Sequence, residues 1–442
     1  MALARTPLAA LGVVLTTSCA VLFLLALAVD ALGWIANPYV GLLVFGALPA
    51  GFLLGLVLIP IGNLIGRRRG EAAVRWPAFD LENERHRRWA IVLLAATVIN
   101  VTILAVAGYG AIHYMETQAF CGEVCHSVMA PEYVAYQQAP HARVPCVSCH
   151  VGSGAGALAQ SKVDGMRRLA GMVTGNITRP IPTPVHTMRP ARETCATCHW
   201  PAFVRGDRLK VVSAFGDDEA STPAPTTLEI HVGGGEAPGS GIHWHANPAT
   251  AIEYVATDAA RQSIAWVRMR AADGTVREYR RPGVDEATIA AGTRRLMDCT
   301  DCHSRPSHTF DASPERAVDR AIAAGHVSRE VRSVRREMVA ALKAAAERGD
   351  GAVVEQTLRA AYAGDGARGS ATAADVDRVV AVARSLHDSH VFPAMRVTWG
   401  TYRNELGHTD TPGCFRCHDE ELAAPDGRAI RQDCEMCHRI RD

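Results

Sequence analysis

Three long apolar runs occupy the first quarter of the chain. Residues 8–29 hold no charged side chain, residues 40–65 form a second run containing Pro49 and Pro60, and residues 89–109 form a third. At a rise of about 1.5 Å per residue each run is long enough to cross a hydrocarbon layer about 30 Å thick. A cleaved signal peptide has a shorter apolar core followed by a small-residue cleavage site, and the first run has neither. Three retained transmembrane helices are therefore predicted. Gly51 and Gly55 lie four residues apart in the second run, a spacing that lets helix backbones approach closely. Cys19, in the middle of the first run, reads as a small apolar residue.

Beyond residue 114 the pattern changes. Residues 263–270 and 275–280 alternate around Asp273-Gly274, which predicts a β-hairpin. Residues 314–386 are rich in alanine and arginine, and the pairs Val318/Ile322 and Val339/Leu342 fall at helical spacing. Two or three helices are expected there, with a break in the glycine-containing stretch 364–369.

Charge sets the orientation. Arg67, Arg68, Arg69, Arg75, Arg85, Arg87 and Arg88 cluster between the second and third runs, whereas residues 30–39 hold no lysine or arginine. Positive loops stay on the cytoplasmic side. The N-terminus is then cytoplasmic, and everything after the third run lies on the periplasmic or extracytoplasmic face. The whole chain is nearly neutral, with 46 basic and 45 acidic residues, so nothing in its charge points to nucleic acid as a partner. Aromatic residues make up only 6% of the chain, low for a large packed core, which leaves apolar volume for a bound group to fill.

The cysteines name that group. Of 13 cysteines, all but Cys19 fall in six short stretches that end in Cys-His. These are Cys121/Cys125-His126, Cys146/Cys149-His150, Cys195/Cys198-His199, Cys299/Cys302-His303, Cys414/Cys417-His418 and Cys434/Cys437-His438. Two cysteines at this spacing form thioethers to the vinyl groups of one haem, and the next histidine ligates its iron. Chance gives roughly 0.02 Cys-x-x-Cys-His matches in a chain of this composition, and five are present. Disulfides would not bring a trailing histidine, and structural zinc pairs one Cys-x-x-Cys with another. The first stretch has one extra residue between its cysteines and is counted as a haem site because it stands in series with the rest. Six covalently bound c-type haems are expected.

Each iron needs a second axial ligand, and 12 of the 18 histidines lie outside the motifs. His141 stands just before the second motif, His186 before the third, His308 after the fourth and His408 before the fifth. His243 and His245 flank Trp244, and in an extended segment they face one side, so one or both are candidates. Histidine on both faces gives a low potential suited to accepting electrons from quinols. Met129, three residues after His126, offers a thioether that would raise the potential of the first haem.

The stretch from Phe120 to Tyr133, continued from Ala139 to His150, resembles the NapC/NirT family of membrane-anchored multihaem cytochromes c. The segments around Cys299–His308 and Val397–His418 resemble longer, many-haem relatives. The resemblance implies oxidation of a membrane quinol, menaquinol or ubiquinol, beside the first haem. It also implies a periplasmic redox partner that receives the electrons. Family members commonly carry Cys-x-x-Cys-His-x-Met, and this chain has one more residue in each interval. The family's basic and acidic residues near the quinol have Lys162 and Asp164 as their nearest counterparts. The usual family anchor is one helix, so three spans leave room for other membrane subunits to dock.

The expected fold is mostly α, with irregular haem-packed regions, a three-helix membrane anchor and a small β-hairpin insertion. Residues 1–114 form the anchor and 115–200 a three-haem region like that family. Residues 201–298 form a haem-free insertion carrying the hairpin, and 299–442 a C-terminal three-haem region with helices. The expected function is electron transfer from quinol through a haem chain. Two other functions fit the same residues: a multihaem reductase with one open iron, and an electron bridge inside a larger respiratory or photosynthetic complex.

Overall fold

The computed structural model describes residues 6–31, 43–68, 82–124, 126–151, 154–183, 190–200, 203–235, 241–364, 366–367 and 369–441. The chain divides into two units, Met1–His126 and Ser127–Asp442.

The first unit contains three helices long and apolar enough to cross a membrane. They are α1 (Pro7–Ala31), α2 (Leu48–Arg68), entered through a π-helical turn at Leu43–Ala47, and α3 (Glu84–Met115). Leucine, valine and isoleucine on all three remain exposed, as expected of side chains that face lipid. The predicted glycine spacing lies on the α1–α2 seam. A Cβ on Gly51 would meet the Cys19 Sγ at 2.7 Å, and one on Gly12 would meet the Gly55 carbonyl at 2.7 Å. Cys19 is thus a small residue in a tight seam. Phe23, Val44, Ile103 and Ala107 form the buried contact among the three helices.

The second unit begins with α4 (His126–Gln137), α5 (Cys146–His150), α6 (Ala155–Val173) and α7 (Ala191–Cys195). The segment expected to hold one hairpin holds more. Strands β3 (Ala251–Ala256), β4 (Ile264–Arg270), β5 (Val276–Arg280) and β6 (Thr293–Leu296) form an antiparallel sheet in the order β5-β4-β3-β6, and α8 (Glu286–Ala291) joins β5 to β6. The predicted hairpin is β4–β5, with Arg270 opposite Val276. Gly274 supplies the left-handed turn residue at φ +83°. A second sheet joins β1 (Arg208–Val212) and β2 (Thr226–Ile230) to β7 (His438–Arg441), near the far end of the chain.

The alanine-rich stretch forms four helices, one more than the upper expectation. They are α9 (Pro314–Ala323), α10 (Val334–Arg348), α11 (Ala352–Ala361) and α12 (Ala373–His390). Ser313 caps α9, whose first helical residue is Pro314, and a Thr372–Asp375 capping box starts α12. Val318, Ile322, Val339 and Leu342 all lie in their shared core. The predicted glycine break falls between α11 and α12.

Candidate haem centres

Every cysteine pair of the regular motifs sits where the backbone turns tightly. Cys146–His150 is one short helix, Cys299–Asp301 and Gly413–Arg416 are 3-10 turns, and α13 (Cys434–Cys437) carries the last pair. These turns bring each motif's cysteines onto one side and lead directly into its histidine. In the first motif, Phe120–Val124 forms a π-helical turn, which holds one residue more than an α-turn. The extra residue of that motif is taken up there. Cys125 lies outside the described residues. No disulfide occurs among the described cysteines.

The motif histidines are not alone. His150 faces His308 with ring centroids 6.1 Å apart, and His199 faces His141 at 6.0 Å. His303 faces His243 at 6.4 Å, His418 faces His245 at 6.0 Å, and His438 faces His408 at 6.0 Å. Each pair joins one motif histidine to one from outside the motifs. Two imidazoles on one metal stand about 6 Å apart, because each metal–nitrogen bond is about 2 Å and each ring centre lies about 1 Å behind its nitrogen. Among the described residues no three His, Cys, Asp or Glu side chains converge as a metal-ion cage. Paired imidazoles without further ligands suit a macrocycle that brings its own four equatorial nitrogens.

The second ring nitrogen is committed in most pairs. His141 Nδ1 lies 3.3 Å from the Pro306 carbonyl, His243 Nδ1 2.6 Å from Val232 O, and His245 Nδ1 2.8 Å from Ile242 O. His308 Nδ1 lies 2.9 Å from Glu132 O, and His418 Nδ1 2.8 Å from Arg431 O. A carbonyl only accepts, so each Nδ1 carries the proton and donates. That tautomer leaves the Nε2 lone pair free for a metal. Burial pushes the His150, His245, His303 and His308 imidazoles below their usual range, which keeps them neutral and able to ligate. His308 is further held by its neighbours. Arg305 donates to the Glu132 carboxylate at 2.6 Å and stacks over Tyr402 at 3.9 Å.

His243 and His245 differ from expectation in one respect. They lie on a 3-10 turn, Ile242–Ala246, not on an extended segment. Residues two apart on such a turn diverge, so Trp244 enters the sheet core while the two imidazoles reach different motif histidines. His186 lies outside the described residues. Met129 is half-buried on α4. Lys162 and Asp164 lie two residues apart on α6 and so do not face each other. Asp164 instead accepts from Arg167 and Gln160, each at 3.1 Å.

The motifs follow one another in space. Cys149 neighbours Cys198, the Cys195 and Cys299 thiols hydrogen-bond, Cys302 neighbours Cys414 and Cys417, and Cys437 neighbours Cys414.

A family model described as the NapC/NirT cytochrome c family, N-terminal region, matches residues 83–182. The cytochrome c-type protein ImcH of Geobacter sulfurreducens is 36% identical over 447 residues, covering 98% of this chain and 87% of the relative. The chain belongs to the NapC/NirT family of c-type cytochromes. No solved structure matches it significantly. As a member of the NapC/NirT family it is a membrane-anchored multihaem cytochrome that works in electron transfer and carries covalently bound c-type haem. Cytochromes of this family work with quinols and with redox partners.

Proposed function

We propose that this NapC/NirT cytochrome binds six c-type haems and carries electrons from the membrane quinol pool to an extracytoplasmic redox protein. The five facing histidine pairs carry the proposal, because they supply both axial ligands at every regular motif. Bound haem supplies reversible one-electron chemistry at low potential when both ligands are histidine. The protein's own contribution is fixed placement. The carbonyl contacts hold each imidazole in one tautomer, and burial keeps the rings neutral and away from bulk water. Two imidazoles at each of five sites leave no open iron there, which argues against a reductase at those positions.

The first motif takes the remaining role. It follows the membrane helix α3 in sequence, it alone has the longer cysteine spacing, and Met129 or His186 is its candidate second ligand. Electrons enter there from menaquinol or ubiquinol. They leave near the C-terminal motif, the last of the neighbouring series. The arginines between the second and third spans hold the N-terminus in the cytoplasm and leave the second unit outside.

The test uses the purified full-length protein in detergent, under anaerobic conditions, with a reduced menaquinol analogue and a ubiquinol analogue in parallel. Growth of the haem α-band with at least one of them is the expected result. No reduction by either, with dithionite still effective, would overturn the quinol reading.

A further inference from the structure

The two variable positions inside a Cys-x-x-Cys-His motif are open to any side chain that the turn allows. In the fourth and fifth motifs one of them is charged and buried. Asp301 lies between Cys299 and Cys302 with its side chain 3% exposed, and Arg416 lies between Cys414 and Cys417 with 12% exposed. Arg416 donates to the Asp301 backbone carbonyl at 2.5 Å and to the Arg261 carbonyl at 3.1 Å, so the two motifs are locked together.

Each charge is held by its own partners. The Tyr254 hydroxyl donates to Asp301 Oδ1 at 2.5 Å, Arg261 lies at 3.6 Å and Arg295 at 4.0 Å. The Asp298 amide donates to Asp301 Oδ2 at 2.8 Å. Arg416 Nε lies 3.6 Å from Glu405, whose carboxylate also accepts from Gln262 at 2.9 Å and Thr411 at 3.1 Å. Cys302, Cys414 and Cys417 surround this group. Burying several charges is a poor way to gain stability, since well-packed apolar residues of the same volume do as well or better. Buried charge does act on redox centres, because its field is weakly screened and shifts the energy of adding an electron nearby.

We propose that Asp301 and Arg416 are positioning residues that set the potentials of the fourth and fifth haems, through fields of opposite sign fixed inside the two attachment motifs. The proposal rests on haem attachment at Cys299/Cys302 and Cys414/Cys417. The Asp301 carboxylate opposes addition of an electron beside it and so lowers the potential. The Arg416 guanidinium favours it and so raises the potential. The difference between them grades the step from one haem to the next.

The experiment is a spectroelectrochemical titration of the full-length haem-loaded protein and its variants. Peptide mass mapping of the parent protein comes first, and absence of haem from either motif peptide would overturn both this proposal and the attachment it rests on. With both peptides loaded, Asp301→Asn should move two components of the titration upward and Arg416→Gln should move two components downward, the others staying in place. Shifts of the same sign in both variants, or no shift at full haem content, would overturn the proposal. Tyr254→Phe keeps every charge and removes only the hydrogen bond to Asp301, so it serves where the charge variants lose haem. It should move the same components downward, and an unchanged or raised value would count against the proposal.

Discussion

At His245 two local forces decide the chemistry. Burial disfavours the protonated ring, and the Ile242 carbonyl fixes the proton on Nδ1, so Nε2 is the free nitrogen facing His418. Replacing His245 by alanine removes one axial ligand and leaves Cys414 and Cys417 untouched. Electron paramagnetic resonance of the oxidised variant should show one haem changed from low to high spin, with unchanged covalent haem content. A second residue-scale prediction concerns Glu315. Burial pulls its carboxyl up, but the Lys343 ammonium at 2.5 Å, with hydrogen bonds from its own amide and Ser313, outweighs burial and holds it below the usual carboxylate range. A lowered folded value gives stability that is present above the unfolded value and lost as pH falls through the folded one. Thermal melts should therefore show Glu315→Gln losing stability at neutral pH, with the gap to the parent closing in acid. The histidines that stand near a motif, His141, His308 and His408, were legible as ligand candidates from position alone. The separate targets of His243 and His245 were not, because a 3-10 turn and an extended strand share the same short sequence pattern.

Helices and strands were legible in proportion to their length and regularity. The three membrane helices and the hairpin around Asp273-Gly274 follow from runs and alternation that need no tertiary context. The sheet of β1, β2 and β7 does not, since β7 has four residues, starts at a haem-motif histidine and pairs with a strand about two hundred residues away. That pairing fixes His438 opposite Ile230, so the segment without motifs braces the last one. Two element-scale predictions follow from packing. Leu342 is fully buried among α9–α12, and Leu342→Ala should lower unfolding stability by about 2–5 kcal/mol in denaturant titration. Gly55 lies against Thr16 and Gly12 on α1, where any side chain must force the helices apart. Gly55→Leu should cost about 1–3 kcal/mol, visible as a lower melting temperature in detergent, while an exposed control such as Leu54→Ala should leave it unchanged.

On the scale of the whole molecule, a membrane unit precedes a unit whose folding brings ligands together across long sequence distances. His150 meets His308, and His303 meets His243, so the axial pairs themselves tie the second unit together. The motifs gave the number of haem sites directly from sequence, whereas their pairing needed the fold, because no local pattern links a motif to a histidine far along the chain. The most direct test of the central claim is near-infrared magnetic circular dichroism of the fully oxidised protein, calibrated to haem content by the pyridine haemochrome method. Six haems per chain, at least five of them with the bis-histidine signature, are predicted. Fewer than five bis-histidine haems per chain would contradict the account.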